Sequence, residues 1–375
     1  MADAGSTYPE RAVLGDVPPV GFYPYMQNRN PDRGPEDVPL PATLRACMDY
    51  LVKCRGTNGG ADRRFTYTYF MGTTGAAFRL SWKEGWHDDN CAAWLASNDI
   101  LAVFRRGFAA AGYEAEIICG AEQGKGSFRD RVVETIAERG RPIIAHGVVG
   151  PPEEAIIAGY DDDGDVVIGW SHFQDHEPHA SEGEFEPNGM FRKRDWVEDT
   201  WDLMLFDDPI ELPPIEDVSR DALAWALEIM RTPLTYGDRH NGIAAFDAWA
   251  AQLLRDEDFE TDDMSVLWRR FSPHDDNVLV VAEGRHYGSG FLREAAAALP
   301  SAAAELEAAA ECCAAQHDRM WKVWGCLGGN GRSEAHVRKM ADPGARREIV
   351  ALLRQSRAED ERISEHIERA LTQLG

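Results

Sequence analysis

Apolar and polar positions along the chain divide it into a first part with strands and helices and a second part with helices alone. Residues 141–175 contain three successive apolar runs, at 142–149, 153–160 and 166–170. The last two runs are separated by the acidic turn Asp162-Asp163-Gly164-Asp165. Short apolar runs bounded by turn residues are typical of buried strands, and we predict three strands here.

Helical spacing surrounds these strands. Leu44, Cys47, Met48 and Leu51 recur on one face and predict a helix over 43–53. Further helices are predicted over 91–111 and 127–139, with a strand over 113–119 between them. Beyond the proline-rich segment 207–215 no strand pattern is found, and the predicted helices are 217–231, 242–254, 291–299, 302–324, 333–340 and 343–374.

This pattern gives an α+β fold class with four segments. Residues 1–41 form an extended arm, 42–206 a mixed domain, 207–215 a linker and 216–375 an all-helical domain. The 375 residues include 64 acidic and 39 basic side chains, a net charge of −25. Such a charge argues against nucleic acid and against an anionic membrane as partners.

The cellular location is inferred from what the sequence lacks. No apolar run is long enough to cross a membrane, and the first residues carry neither a basic region nor an apolar stretch. The seven cysteines have irregular spacing without a C-x-x-C pair. We therefore expect reduced thiols and a cytoplasmic protein.

The order of the predicted elements resembles that of papain-like cysteine peptidases. The second predicted strand starts on a polar residue and ends in Gly159-Tyr160-Asp161, and the third follows the acidic turn. The pattern is similar to bacteriocin-processing peptidases and to the N-terminal domain of the butirosin-biosynthesis acyltransferase. That acyltransferase moves an acyl group from a carrier protein to an aminoglycoside. Segments 233–254 and 287–292 resemble the helical C-terminal domain found in the same group. The resemblance implies a papain-like domain followed by an all-α domain.

In that group a cysteine opens the first helix and a histidine stands where the second strand begins. The match places Thr43 at the cysteine position and Glu153 at the histidine position. A hydroxyl is a weak nucleophile without a base, and a carboxylate is a poor proton shuttle near neutral pH. Cys47, one turn further along, is the alternative nucleophile, although its place on the apolar stripe favours a core position. The resemblance thus implies a degenerate catalytic triad.

Aromatic and histidine side chains of the mixed domain are candidate ligand contacts. Trp82, Trp86 and His87 follow an aromatic loop, and Trp170 and His172 come at the end of the third predicted strand. Aromatic rings accompanied by acids suit a cationic or sugar-like ligand, although tryptophans more often pack in a core.

Two further motifs have some of the features of metal or phosphate sites. The dense group His172, Asp175, His176 and His179 could attract a metal, but its acidic surroundings favour an exposed segment. Residues 120–127 lie between a strand and a helix, yet they are one residue short of the phosphate-loop spacing. We predict neither a metal nor a cofactor.

Our first hypothesis is a papain-like protein with a degenerate triad that binds a small molecule or peptide, in a specialised-metabolite pathway. One alternative is an active acyltransferase or amide hydrolase that uses Thr43 or Cys47 with Glu153. The other is a structural or assembly module. An acyl carrier protein is a candidate partner, and the sequence leaves a homo-oligomer and enzymatic activity open.

Overall fold

The chain folds into two compact units in a computed structural model, which describes residues 8–23, 25–28, 34–54, 64–177, 179–182 and 184–375. Unit 1 comprises Met1–Phe70 and Phe104–Leu212, and unit 2 comprises Met71–Val103 and Pro213–Gly375. The chain passes from unit 1 to unit 2 for the last time between Leu212 and Pro213, within the predicted linker 207–215. The predicted domain 42–206 differs from this division, because 71–103 belong to unit 2. Part of the predicted extended arm lies outside the described residues.

The described residues contain eleven strands and twelve α-helices. The strands are β1 (Ala12–Val13), β2 (Ser81–Trp82), β3 (Tyr113–Cys119), β4 (Ile143–His146), β5 (Glu154–Asp161), β6 (Val166–Ser171), β7 (Glu184–Phe185), β8 (Phe191–Arg194), β9 (Asp202–Pro209), β10 (Leu234–Thr235) and β11 (Arg239–Asn241). The helices are α1 (Pro39–Cys54), α2 (Tyr67–Thr73), α3 (Ala102–Ala110), α4 (Gly120–Gln123), α5 (Phe128–Ala137), α6 (Trp196–Asp199), α7 (Ile215–Arg231), α8 (Ile243–Leu253), α9 (Met264–Ala298), α10 (Ala303–Leu327), α11 (Glu334–Met340) and α12 (Pro343–Leu374).

Unit 1 is built on an antiparallel sheet in the order β3-β9-β4-β5-β6-β8-β7, with β1 added beside β5. The three predicted strands are confirmed as β4, β5 and β6, which are neighbours in this sheet. Side chains alternate between the two faces of a strand. Ile143, Ala145 and Ile157 therefore share one face, where they pack with Phe128 and Val132 of α5.

The opposite face of the same sheet meets α1 and α3. Helix α1 contacts β5, and Phe108 of α3 lies 4.4 Å from the ring of Phe206 on β9. The sheet is thus covered on both sides, which explains why β4 and β5 are apolar almost throughout.

Unit 2 is dominated by three long helices, α9, α10 and α12, of which the sequence predicts α10 and α12 over most of their length. Its core collects tryptophans: Trp82 stacks on Trp249 at 5.6 Å and meets the edge of Trp86 at 5.7 Å. The prediction of helix alone after residue 215 is wrong in one place. The hairpin of β10 and β11 pairs with β2 in a three-stranded sheet.

Helix α9 is also much longer than the predicted helix over 291–299. Pro273 and three glycines lower the helical propensity of its sequence. Gly284 is required for packing, because a Cβ atom there would lie 2.9 Å from the carbonyl oxygen of Ala77. Tertiary contacts therefore override local propensity in this helix.

Within the described ranges, none of the helices combines the length and the apolar character needed to cross a bilayer.

Candidate functional site

Thr43 and Cys47 are both enclosed in helix α1. The helix begins four residues before Thr43, at Pro39, and the Thr43 hydroxyl donates a hydrogen bond to the Leu40 carbonyl at 2.9 Å. Both side chains are fully buried. Burial also raises the pKa of the Cys47 thiol. A buried hydroxyl that donates its proton to a carbonyl of its own helix is a poor nucleophile, and so is a buried protonated thiol.

The polar residue that opens the second strand is Glu154 rather than Glu153. Strand β5 begins at Glu154, which is 1% exposed and pairs in register with His146 of β4. Glu153 precedes the strand and is half-buried, and its carbonyl accepts the N–H of Gly147 at 3.1 Å. The strand therefore begins one residue later than the sequence predicts, at Glu154 instead of Glu153.

Four ionisable side chains form a row across the end of the unit 1 sheet. Cys119 of β3 is the register partner of Asp202 on β9, Asp202 is that of His146, and His146 is that of Glu154. Directly opposed residues of antiparallel strands project to the same face. Side chains alternate along each strand, and the neighbours Ala145, Ala155 and Leu203 pack on the α5 side. The ionisable row therefore lies on the opposite face, which α1 and α3 cover. The ring of Phe104 lies 5.9 Å from that of His146 there.

The centre of the ionisable row is a histidine–carboxylate pair. Nδ1 of His146 lies 3.4 Å from Oδ2 of Asp202. Burial acts to lower the pKa of His146, but the hydrogen bond to Asp202 and the charges of Glu154 and Glu153 outweigh it, so this pKa lies above its ordinary value. Burial acts to raise the pKa of Asp202, but the bonds from His146 and Cys119 hold it below its ordinary value. Both shifts favour an imidazolium–carboxylate pair.

Cys119 is not an activated thiol in this arrangement. Burial and the hydrogen bond to Asp202 raise its pKa, and the backbone N–H of Glu122 offsets only part of that shift. A catalytic cysteine needs the opposite shift. Among the described residues no group of three or more His, Cys, Asp or Glu side chains is arranged to hold a metal ion.

An open cleft of about 340 Å³ lies at the same end of the sheet. We call it the Trp201 cleft, and its lining residues are Gly147, Gly150, Pro152, His179, Lys193, Glu198, Asp199 and Trp201. Trp201 is 49% exposed although it directly precedes a buried strand. Gly147 has a φ of +88°, and a Cβ atom there would lie 2.9 Å from the Asp199 carbonyl oxygen. The close approach of these two segments therefore needs a glycine.

The Trp201 cleft presents an aromatic face beside charged groups. Nζ of Lys193 lies 2.6 Å from Oδ2 of Asp199, so one carboxylate is already paired. Glu198 adds a second acidic side chain to the lining. An aromatic face next to carboxylates attracts ligands that carry a positive charge, through cation–π and ionic contacts.

The predicted ligand residues of unit 2 pack largely in its interior. Trp82 is fully buried and its Nε1 donates to Gln252 at 2.9 Å. Trp86 is 7% exposed and its Nε1 donates to Asp258 at 2.8 Å. His87 is exposed. The two tryptophans are thus core residues rather than ligand contacts, which is the usual place of a large aromatic side chain.

The predicted ligand residues of unit 1 are also enclosed. Nε1 of Trp170 donates to the Val17 carbonyl at 3.0 Å, and Nε2 of His172 lies 3.0 Å from the Glu36 carbonyl. Burial lowers the pKa of His172 to about 4, so its imidazole is neutral at physiological pH. Of the histidine-rich loop, His179 lines the Trp201 cleft. The five predicted ligand residues are thus divided between the two units, and His87 alone among them is exposed.

Sequence reasoning missed the ionisable row, although a local signal exists for it. His146 ends the apolar run Ile143-Ile144-Ala145, and Asp202 and Glu154 are the first residues of two other apolar strands. A single ionisable residue at the end of a buried strand indicates a polar site at the sheet edge. Only the order of the strands in the sheet shows that these ends of β4, β5 and β9 lie side by side.

No family model matches the chain, and a comparison with curated proteins finds no match.

Proposed function

We propose that unit 1 is a papain-like scaffold with a degenerate triad, and that it binds a small cationic molecule or short basic peptide in the Trp201 cleft. Support for the scaffold comes from helix α1 on one face of an antiparallel sheet that contains β4, β5 and β6 in sequence order. Support for binding without turnover comes from the enclosed Thr43 and Cys47. None of the seven cysteines, all of which lie in the described part of the chain, forms a disulfide, and this is compatible with a cytoplasmic location.

The observation that carries this proposal is the exposed indole of Trp201 in a cleft with acidic groups. A large aromatic ring that leaves half of its surface in solvent forgoes the free energy of burial, about 25 cal/mol for each Å². Ligand contact would recover part of that free energy. The neighbouring Asp199 and Glu198 would select a positive charge, with Lys193 placed to receive a polar or anionic group of the same ligand.

Binding is tested by ¹⁹F NMR on protein labelled with 5-fluorotryptophan, where Trp201→Phe assigns the Trp201 resonance. A panel of alkylammonium ions, amino sugars and basic dipeptides is titrated in. We expect saturable shifts of the Trp201 resonance in the wild type and, by calorimetric titration of the same ligands, loss of binding in Trp201→Ala. Trp321→Ala is the matched control, because Trp321 on α10 is also 49% exposed. Binding that survives in Trp201→Ala, or a panel that leaves the resonance unmoved, would overturn the proposal.

Turnover distinguishes the enzymatic alternative. A panel of acyl-carrier thioesters and peptides is incubated with the wild type, Thr43→Ala and Glu153→Gln. We expect no turnover that depends on these side chains. Wild-type turnover that falls by several orders of magnitude in both variants, with unchanged melting temperatures, would establish the enzyme instead.

A further inference from the structure

We infer that protonation of His146 controls the form of the Trp201 cleft, so that the cleft binds its ligand when His146 is charged and loses affinity when His146 is neutral. The control of the cleft stands on the geometry of unit 1 alone. The effect on affinity rests on the proposed function.

Backbone contacts connect the His146–Asp202 pair directly to the cleft. Trp201, adjacent to Asp202, donates its N–H to the His146 carbonyl at 2.8 Å, and its indole lies 5.8 Å from the imidazole in an edge arrangement. Gly147, adjacent to His146, lines the cleft. The carbonyl of Trp201 accepts the N–H of Gly120 at 2.8 Å. A displacement of His146 against Asp202 would therefore move two of the residues that line the cleft.

Carboxyl groups on both neighbouring strands of β4 act on His146. Strand β9 contributes Asp202, and the β5 side contributes Glu154 with Glu153 just before the strand. Helix α3 places the ring of Phe104 5.9 Å from that of His146. One imidazolium thus faces three carboxylates in a largely buried environment.

Loss of the His146 proton would leave these carboxylates without their common counter-charge. Like charges repel strongly where the effective dielectric constant is low. The 3.4 Å separation of Nδ1 and Oδ2 exceeds the roughly 2.7–2.9 Å of a strong charge-assisted hydrogen bond. The ends of β4 and β9 would then separate, and Trp201 would change its position in the cleft.

The test follows the fluorotryptophan resonance of Trp201 from about pH 5 to 9 without ligand. We expect a one-proton titration with a midpoint above 6.5, the ordinary value for histidine. It should vanish in His146→Gln and persist in His179→Gln, the matched control because His179 also lines the cleft. A resonance that does not titrate in the wild type, or a titration that survives His146→Gln or disappears in His179→Gln, would overturn the inference.

Asp202→Asn keeps the test conclusive if His146→Gln fails to fold. This variant removes a group that raises the His146 pKa, so the midpoint should fall. An unchanged midpoint would refute the role of the pair.

Tetramethylammonium serves as the binding probe near pH 6 and pH 9, where we expect at least about threefold weaker binding at the higher pH in the wild type. Equal affinity at both values would overturn the inference while leaving the proposed function in place. A Trp201 resonance that titrates through His146, with binding at neither value, would support control of the cleft and reject the cation as its ligand.

Discussion

Replacement of Asp360 by asparagine should destabilise unit 2 far more than the loss of an ordinary surface charge. Asp360 on α12 pairs with Arg285 on α9, and both side chains are completely buried. The carboxylate accepts from Nη2 at 2.7 Å and from Nε at 3.0 Å. Arg285 also donates to the Ala77 carbonyl at 2.5 Å and to Gln316 at 3.0 Å. The pair therefore joins two of the long helices through one guanidinium group.

The size of the effect follows from what the substitution leaves behind. An asparagine would preserve the volume of the Asp360 side chain but remove the only carboxylate among the hydrogen-bond partners described for Arg285. A buried charge without its counter-ion typically costs about 3–5 kcal/mol. Because the guanidinium retains its carbonyl and amide acceptors, we expect a loss near the lower end, about 3 kcal/mol.

Urea denaturation followed by circular dichroism at the helical band measures this loss as a shift of the midpoint at constant slope. Asp247→Asn is the matched control. Asp247 pairs with Arg357 at 2.8 Å, yet the two side chains are 61% and 33% exposed, so its loss should cost no more than about 1 kcal/mol. The double variant Arg285→Met with Asp360→Leu should recover most of the stability that Asp360→Asn loses.

Equal changes in the free energy of unfolding in Asp360→Asn and Asp247→Asn would refute a special cost for the buried pair. A double variant less stable than Asp360→Asn would also refute it, because the cost would then come from lost packing rather than from an uncompensated charge.

Three further outcomes follow from unit 1. Thr43→Ala should lower stability by only about 1–2 kcal/mol, because the hydroxyl bonds to the Leu40 carbonyl of its own helix; a larger loss by thermal melting would contradict this local role. Since the pKa of His172 is about 4 when folded and 6.5 when unfolded, its contribution to stability is complete above pH 6.5 and declines by about 3 kcal/mol as pH falls through 4. The pH dependence of unfolding should flatten accordingly in His172→Asn. In a native thiol titration with Ellman's reagent, exposed Cys54 should react at once and buried Cys47 only on unfolding, and early labelling of Cys47 by mass spectrometry would show that α1 opens.

The sequence by itself determined the local elements that depend on neighbouring residues. The apolar runs on either side of Asp162-Asp163-Gly164-Asp165 predict β5 and β6, because turn residues and strand propensity act over a few positions. The spacing of Leu44, Cys47 and Met48 likewise predicts α1. The mixed first part and the helical C-terminal part follow from the same patterns.

Elements that are stabilised by contacts between distant parts of the chain could not be predicted from such local patterns. Strand β2 pairs with β11 at a large separation along the chain, and α9 extends through Pro273 because its packing outweighs propensity. The division of the chain into units depends on the same long-range contacts, which is why residues 71–103 join unit 2.

The site shows the same division between local and tertiary information. Sequence reasoning could select Thr43, Glu153 and Trp170 by residue type and by resemblance, but the exposure of a side chain depends on what packs over it. The tertiary structure encloses Thr43 and leaves Trp201 half in solvent. It also aligns His146 with Asp202, 56 positions apart, since β9 returns to lie beside β4. Strand order sets which charges share a low-dielectric environment, and no local pattern in the sequence encodes that order.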